Sequence, residues 1–285
     1  MASLKDLRRR IRATTNMQQI FKAMEMVAAS KLRRAQARAQ AATPYAEKIS
    51  AMLDKLAGAA GELDHPLFKE REVRNRVLVV VTADRGFAGS YNITVLRAAE
   101  QALRSARAGT IRAMVIGRKG FDYLRRRGYP ILASHTDVRG EAFLELARQI
   151  TDDLTRRFVS GEVDRVEILH THFVNALSRK LVHETFLPVG GGKPHAETVD
   201  RGTIFEPDAE TIFAELLSRY AVARLYAAVA DSQASEESAR MVAMGSARKN
   251  AGELVDALTL TRNRLRQAAI TREISELVGG AEALK

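Results

Sequence analysis

A chain of 285 residues with 46% hydrophobic content can bury the cores of one or two domains. It contains no cysteine, which excludes disulfides, thiolate catalysis and Cys-ligated metal sites and fits a reducing compartment. The net charge of +11 is uneven: residues 1–57 hold 12 Lys/Arg against 4 Asp/Glu, whereas residues 207–285 hold 10 against 11.

The first ~55 residues read as one long helix. Leu4, Leu7, Ile11, Thr14, Met17, Phe21, Met24 and Ala28 recur at steps of three and four and make one apolar stripe. Ser3, three residues ahead of Asp6, is a plausible N-cap. Beyond Met26 the stripe narrows to alanine, which favours helix and admits a partner helix at close range. Pro44 removes one backbone hydrogen bond, so the rod either bends there or breaks into two helices. The basic excess, including Arg8, Arg9, Arg10, Arg33 and Arg34, would suit nucleic acid, anionic lipid or an acidic protein surface; a merely solvated helix face is the plainer reading. An Arg-rich start also mimics a transit peptide, but the helix runs well past a normal cleavage point. No run approaches the ~18 apolar residues of a membrane span, and no signal-peptide core follows the start.

Arg76 to Thr82 reads as a buried strand, because its valines do not alternate with polar residues. Helix is predicted over Ile93–Ala108, strand over Ile111–Ile116 and helix over Phe121–Arg127. A helix over Glu141–Val159 and strands over Arg165–Thr171 and Leu181–Pro188 follow. Alternating strands and helices predict a small α/β module with a mainly parallel sheet. Gly190 to Pro194 reads as a flexible turn leading out of it.

From Asp208 onward there is no proline and little glycine before Gly279. A single helix of that length would reach on the order of 110 Å, several times the width of a small domain. Ile212, Leu216, Tyr220, Ala223, Ala227, Ala230 and Ala234 step by three or four. Met241, Met244, Ala247, Ala251, Leu254, Leu258, Leu265 and Ala268 continue the pattern with small residues where heptads usually carry Leu or Ile. The expected architecture is therefore α/β plus long helices: an antiparallel coiled coil of residues 1–58 and 207–285, with a small Rossmann-like α/β domain, 74–195, between them. The surplus length of the second rod must project alone or enter another protein.

Candidate chemistry within the module is weak. Asp84 to Asn92 follows the first strand where α/β folds bind phosphates, but its glycines lack the dinucleotide spacing and no Gly-Lys-Ser/Thr follows, so a structural turn is favoured. Gly117 to Gly120 is no stronger. His170 and His172 share one face of a strand as two zinc ligands would, yet no third ligand has a persuasive spacing. No nucleophile with its base and no working carboxylate pair is visible, so no catalytic residue, cofactor or metal is expected.

The two ends say more. Lys22 to Arg34 is an alanine- and methionine-rich helix with basic flanks, Glu236 to Met244 lies in the second rod, and Ile270 to Ala281 lies near its tip. In this order, together with Asp84-Arg85-Gly86…Gly89…Asn92 and Phe205-Glu206-Pro207, they resemble the gamma subunit of F-type ATP synthase essentially end to end. The resemblance departs at Gly86-Phe87-Ala88-Gly89, where relatives often have Gly-Leu-Cys-Gly, and there is no room for the cysteine-bearing insertion of chloroplast forms.

That resemblance implies a rotor shaft without catalytic function. Its paired rods would enter a hexamer of alpha and beta subunits, catalysis would belong to beta, and the α/β module would stand with the epsilon subunit on the membrane c-ring. Contacts to the hexamer are implied for Arg8, Arg9, Met24, Arg33, Arg34, Arg240, Gln267, Thr271 and Glu276. Ile274, Leu277 and Val278 would form the bearing tip, and Phe205 and Glu206 would lie on the side of the ring and epsilon. The implied place is the cytoplasmic face of the bacterial inner membrane, with no nucleic acid and no transmembrane segment. The competing class is a basic coiled-coil module binding nucleic acid or anionic membrane, although its basic stretch offers only Phe21 and Tyr45 for base stacking.

Overall fold

A computed structural model describes residues 3–59, 65–106, 110–137, 142–189 and 209–282. In chain order the elements are α1 (Leu4–Ala59), a 3₁₀ turn (Pro66–Phe68), β1 (Arg76–Val81), α2 (Tyr91–Ser105) and β2 (Ile111–Ile116). Then come α3 (Arg118–Arg126), β3 (Ile131–His135), α4 (Ala142–Val159), β4 (Arg165–Phe173), β5 (Arg179–Leu187) and α5 (Ala209–Glu282). The chain divides into two compact units: Met1–Ala28 with Arg240–Lys285, and Ala29–Ala239. Both terminal helices contribute to both units.

In the larger unit the sheet order is β3-β2-β1-β4-β5, parallel except for β5, which runs antiparallel to β4. Val77, Val79 and Val81 face one layer, with Phe143, Ile150 and Phe158 of α4 and Phe213, Leu217 and Leu225 of α5. Leu78 and Val80 face the other, with Val95, Ala99 and Leu103 of α2 and Leu124 of α3. Both faces are covered, which is why the valine run needs no polar alternation. Ile49 and Leu53 of α1 and Leu67 join the first layer, and Phe68 stacks on Phe213 at 5.4 Å between ring centres.

The expected strands form, with Arg165–Thr171 extended to Phe173. One strand was not anticipated. β3 (ILASH) has only two large apolar residues and sits on the sheet edge, largely half-buried, so its hydrophobic signal is faint. Pro44 lies exposed inside a continuous helix, so the break is ruled out. Ser3 caps α1: its hydroxyl accepts from the Asp6 amide at 3.1 Å and donates to the Asp6 carboxylate at 2.9 Å. The turn expected over Gly190–Pro194 lies outside the described residues.

In the smaller unit the helices pair antiparallel, and three contacts fix the register. Arg248 Nε donates to Glu25 at 2.8 Å. A Cβ on Gly245 would meet the Glu25 carboxylate at 3.1 Å, and one on Gly252 would meet Gln18 Nε2 at 2.8 Å. Contacts thus climb α5 as they descend α1. The expected stripe holds, with Leu7 and Ala28 buried and Leu4, Ile11, Thr14, Phe21 and Met24 half-buried, except at Met17, which is 50% exposed while Gln18 turns inward instead. Steps of three and four only approximate a period of 3.6, and the buried line drifts by one residue.

Candidate coupling surface

Within the larger unit α5 is clamped to the sheet. Phe213, Leu217, Ala221, Leu225, Ala228, Ser232, Ser235 and Ala239 form a buried stripe; of the predicted line, Ala223, Ala230 and Ala234 are buried too, while Ile212, Leu216 and Tyr220 pack half-buried at the core's edge. Its serines act as anchors. Ser232 Oγ accepts from the Thr171 amide at 3.1 Å, Ser235 Oγ donates to the Thr171 carbonyl at 3.3 Å, and Ser238 Oγ donates to the Ala176 carbonyl at 2.5 Å. Asp231 meets His172 Nδ1 at 2.5 Å. The segment Asp231–Ala239, read from sequence as plain coiled coil, is thus where the helix grips the β4–β5 hairpin. Sequence pattern could have flagged Ser232, Ser235 and Ser238 by their helical spacing, but not their partners some sixty residues away.

The loop after β1 proves structural. The Asp84 carboxylate accepts the Arg118 amide at 2.9 Å and the Asp137 amide at 3.0 Å. An anion at the start of α3 would find that amide already taken by the chain's own carboxylate. Asn92 accepts the Ala83 amide at 3.0 Å, and Ala83, Ala88 and Tyr91 pack on Ala239. Gly117 has φ of 103°, and a Cβ there would lie 2.1 Å from the Thr82 carbonyl oxygen. A Cβ on Gly120 would likewise lie 2.7 Å from Thr82 Oγ1, so Gly117 and Gly120 let α3 approach β1 and β2 closely.

The strand histidines enter separate contacts. His170 is buried on β4, with Glu184 at 3.9 Å, and burial lowers its pKa below the ordinary histidine value. His172 is half exposed against Asp231. Among the described residues, no three His, Cys, Asp or Glu side chains gather as metal ligands would. His183 lies 2.8 Å from Glu167, and that hydrogen bond is the main cause holding the Glu167 carboxyl below its usual range.

The residues singled out at the ends are mostly bare. Arg8 and Arg9 are exposed on α1, with Arg9 paired to Asp6 at 3.4 Å, and Met24 is half-buried in the same unit. Arg33 and Arg34 are exposed in the larger unit. Gln267 and Thr271, one helical turn apart, are exposed; Glu276 is exposed and pairs with Arg272 at 3.7 Å. Every residue from Ile270 to Val278 is exposed, including Ile274, Leu277 and Val278. Arg240 differs: it is buried, so any partner reaches it only where this chain already encloses it. Phe205 and Glu206 lie outside the described residues. Among the described residues, no helix is long and apolar enough to cross a membrane.

The chain as a whole has relatives of known name. A family profile described as ATP synthase matches residues 3–284. The chain is 46% identical to the ATP synthase gamma chain of Desulforamulus reducens and 43% identical to that of Moorella thermoacetica, over all of each chain. Among solved structures it is similar to a central-stalk chain of the Tetrahymena thermophila mitochondrial ATP synthase, with TM-score 0.62, 26% identity, and coverage of 80% of this chain and 99% of that one. A rotor chain of the Euglena gracilis enzyme shares the fold, with TM-score 0.66 at 19% identity, covering 94% of this chain and 98% of that one. Such end-to-end likeness leaves the polyanion-binding module without support. The chain belongs to the ATP synthase gamma chain family.

Proposed function

We propose that this chain is the central rotor shaft of an F-type ATP synthase, coupling proton flow through a membrane ring to conformational cycling of catalytic beta subunits. One observation carries the mechanical reading. α5 is a single 74-residue helix, anchored to a five-stranded sheet through Asp231–Ala239 and bare from Ile270 to Val278. A torque-transmitting element needs a rigid base, a stiff lever and an end that slips. The sheet, the serine anchors and the Phe68–Phe213 stack serve as the base. The exposed tip presents Ile274, Leu277 and Val278 without a partner in this chain among the described residues.

The smooth exposed surface suits rotation. Met17, Met26 and Val27 are apolar, flexible or small, and give shallow contacts that do not lock. Arg8, Arg9, Arg33 and Arg34 would face acidic surfaces of the alpha and beta hexamer, with Met24 beside them. Gln267, Thr271 and Glu276 would meet a beta-subunit loop by hydrogen bonding. Arg240 would take part by holding the helix surface around it, since it is itself enclosed. Phe205 and Glu206 belong in this reading to the side of the c-ring and epsilon subunit. Catalysis, with its nucleotide and magnesium, belongs to beta; this chain contributes shape. The assembly stands on the cytoplasmic face of a bacterial inner membrane.

The test uses the assembled complex. Removing residues 280–285 should leave most proton-driven ATP synthesis, whereas Ala247→Pro should abolish it by breaking the lever. Equal tolerance of both changes would contradict a shaft. Alanine at exposed Gln267 and Thr271 together, which removes both hydrogen-bonding side chains, should weaken coupling while the isolated chain stays folded; unchanged synthesis would remove those residues from the contact.

A further inference from the structure

A cleft of about 770 Å³ opens in the larger unit between α1, α4 and α5, within the size range of small-molecule sites. Its floor is apolar. Leu144 of α4, itself 42% exposed, faces Val222, Ala223 and Tyr226 of α5 across it. Its rim is cationic: Arg38 of α1, Arg148 of α4 and Arg219 of α5 all line it, and among the described residues Asp152 is the one carboxylate that does.

The three arginines are not equally occupied. Arg219 pairs with Glu215 at 2.5 Å and Arg148 with Glu145 at 3.9 Å, each an exposed pair along its own helix that water screens. Arg38 is half-buried, and among the described residues no carboxylate pairs with it. A partly desolvated guanidinium beside an apolar floor is better satisfied by an anion that carries its own apolar body. Leu144, Arg148 and Asp152 lie four residues apart on α4, while Phe143, Ala147, Ile150 and Leu154 of the same helix face the sheet core. The cleft is therefore the outward stripe of a helix whose inward stripe is already used.

We propose that this cleft binds a small amphipathic anion, an aromatic or acyl group bearing one carboxylate, sulfonate or phosphate. The apolar body lies on Val222, Ala223 and Tyr226, and the head meets Arg38 with Arg148. Such a ligand would cross-brace α1, α4 and α5 in the base. No covalent step is involved.

The experiment titrates the full chain with anilinonaphthalene sulfonate and with its uncharged parent, N-phenylnaphthylamine, following fluorescence. The sulfonate should bind at one saturable site. Arg38→Gln should weaken it about tenfold, the effect of losing one charged hydrogen bond, and Asp152→Asn should strengthen it. Neither change should alter binding of the uncharged probe, and Ala223→Phe should displace both. Dodecanoate should compete for the site, and vesicles of an anionic phospholipid should compete only if a lipid headgroup is the natural source. Sulfonate affinity indifferent to both Arg38→Gln and Asp152→Asn would overturn the proposal, as would probe binding that survives Ala223→Phe in a chain that still melts cooperatively.

Discussion

Two apolar stretches of the last helix meet different fates. Between Phe213 and Ala239 the helix is buried on the sheet, with Phe213, Leu217, Leu225 and Ser235 at 1% exposure or less. Between Leu254 and Val278, six large apolar residues stand 48–74% exposed. Helical periodicity decides which residues share a face; only a partner decides whether that face is buried. The first stretch is buried within the chain, the second only in part against α1, and Ile270–Val278 is left exposed throughout.

The sharpest way to break that contrast is to cut into the docked half. Phe213→Ala should cost about 3–5 kcal/mol in chemical unfolding, because the ring is enclosed and stacked on Phe68. Next comes Gly117→Ala, where a methyl group would strike the Thr82 carbonyl and positive φ adds strain; a loss of about 2 kcal/mol or more is expected in the same assay. Glu25→Ala combined with Arg248→Ala in a double-mutant cycle should give a coupling of at most about 1 kcal/mol, shrinking with salt, because both side chains are partly exposed. Leu277→Ala at the tip should change unfolding by no more than about 0.5 kcal/mol. A tip substitution as costly as Phe213→Ala would erase the distinction between the two halves.

Protonation sharpens the account of the base. Burial lowers the folded-state pKa of His170, so the unfolded chain takes up a proton that the folded chain resists. Stability linked to His170 is complete above its unfolded value of about 6.5 and is lost as pH falls below it. Glu167 is also depressed, by its hydrogen bond to His183, and its contribution is lost only at lower pH, from about 4.3 downward. His170→Gln should therefore flatten the melting profile as pH falls below about 6.5 and leave the more acidic limb, set by Glu167, in place.

The fold was legible where a signal is local. The valine strand, the capping serine, the long helical periods and the alternation of strand and helix can each be read from a few neighbouring residues. What escaped depends on distance in sequence. β3 is recognisable only by its pairing with β2, because Ala133, Ser134 and His135 carry little hydrophobic pattern. In the docked part of α5 the predicted line is buried at Ala223, Ala230 and Ala234, but the deeper line through Phe213, Leu217 and Leu225 beside it did not stand out, because that helix is apolar on more than one face. The turn at Asp84 is legible as structural, but not that its carboxylate accepts the backbone amides of Arg118 and Asp137, 34 and 53 residues away. The exposed tip, by contrast, was foreseeable from length alone, since a helix so much longer than its partner must outrun it.

Reconstitution tests the central claim most directly. The chain is mixed with separately purified alpha and beta subunits from the same source, and both particle size and magnesium-dependent ATP hydrolysis are followed. The account predicts a large complex whose sustained hydrolysis requires this chain and fails with Ala247→Pro. No complex, or sustained hydrolysis indifferent to the chain, would contradict it.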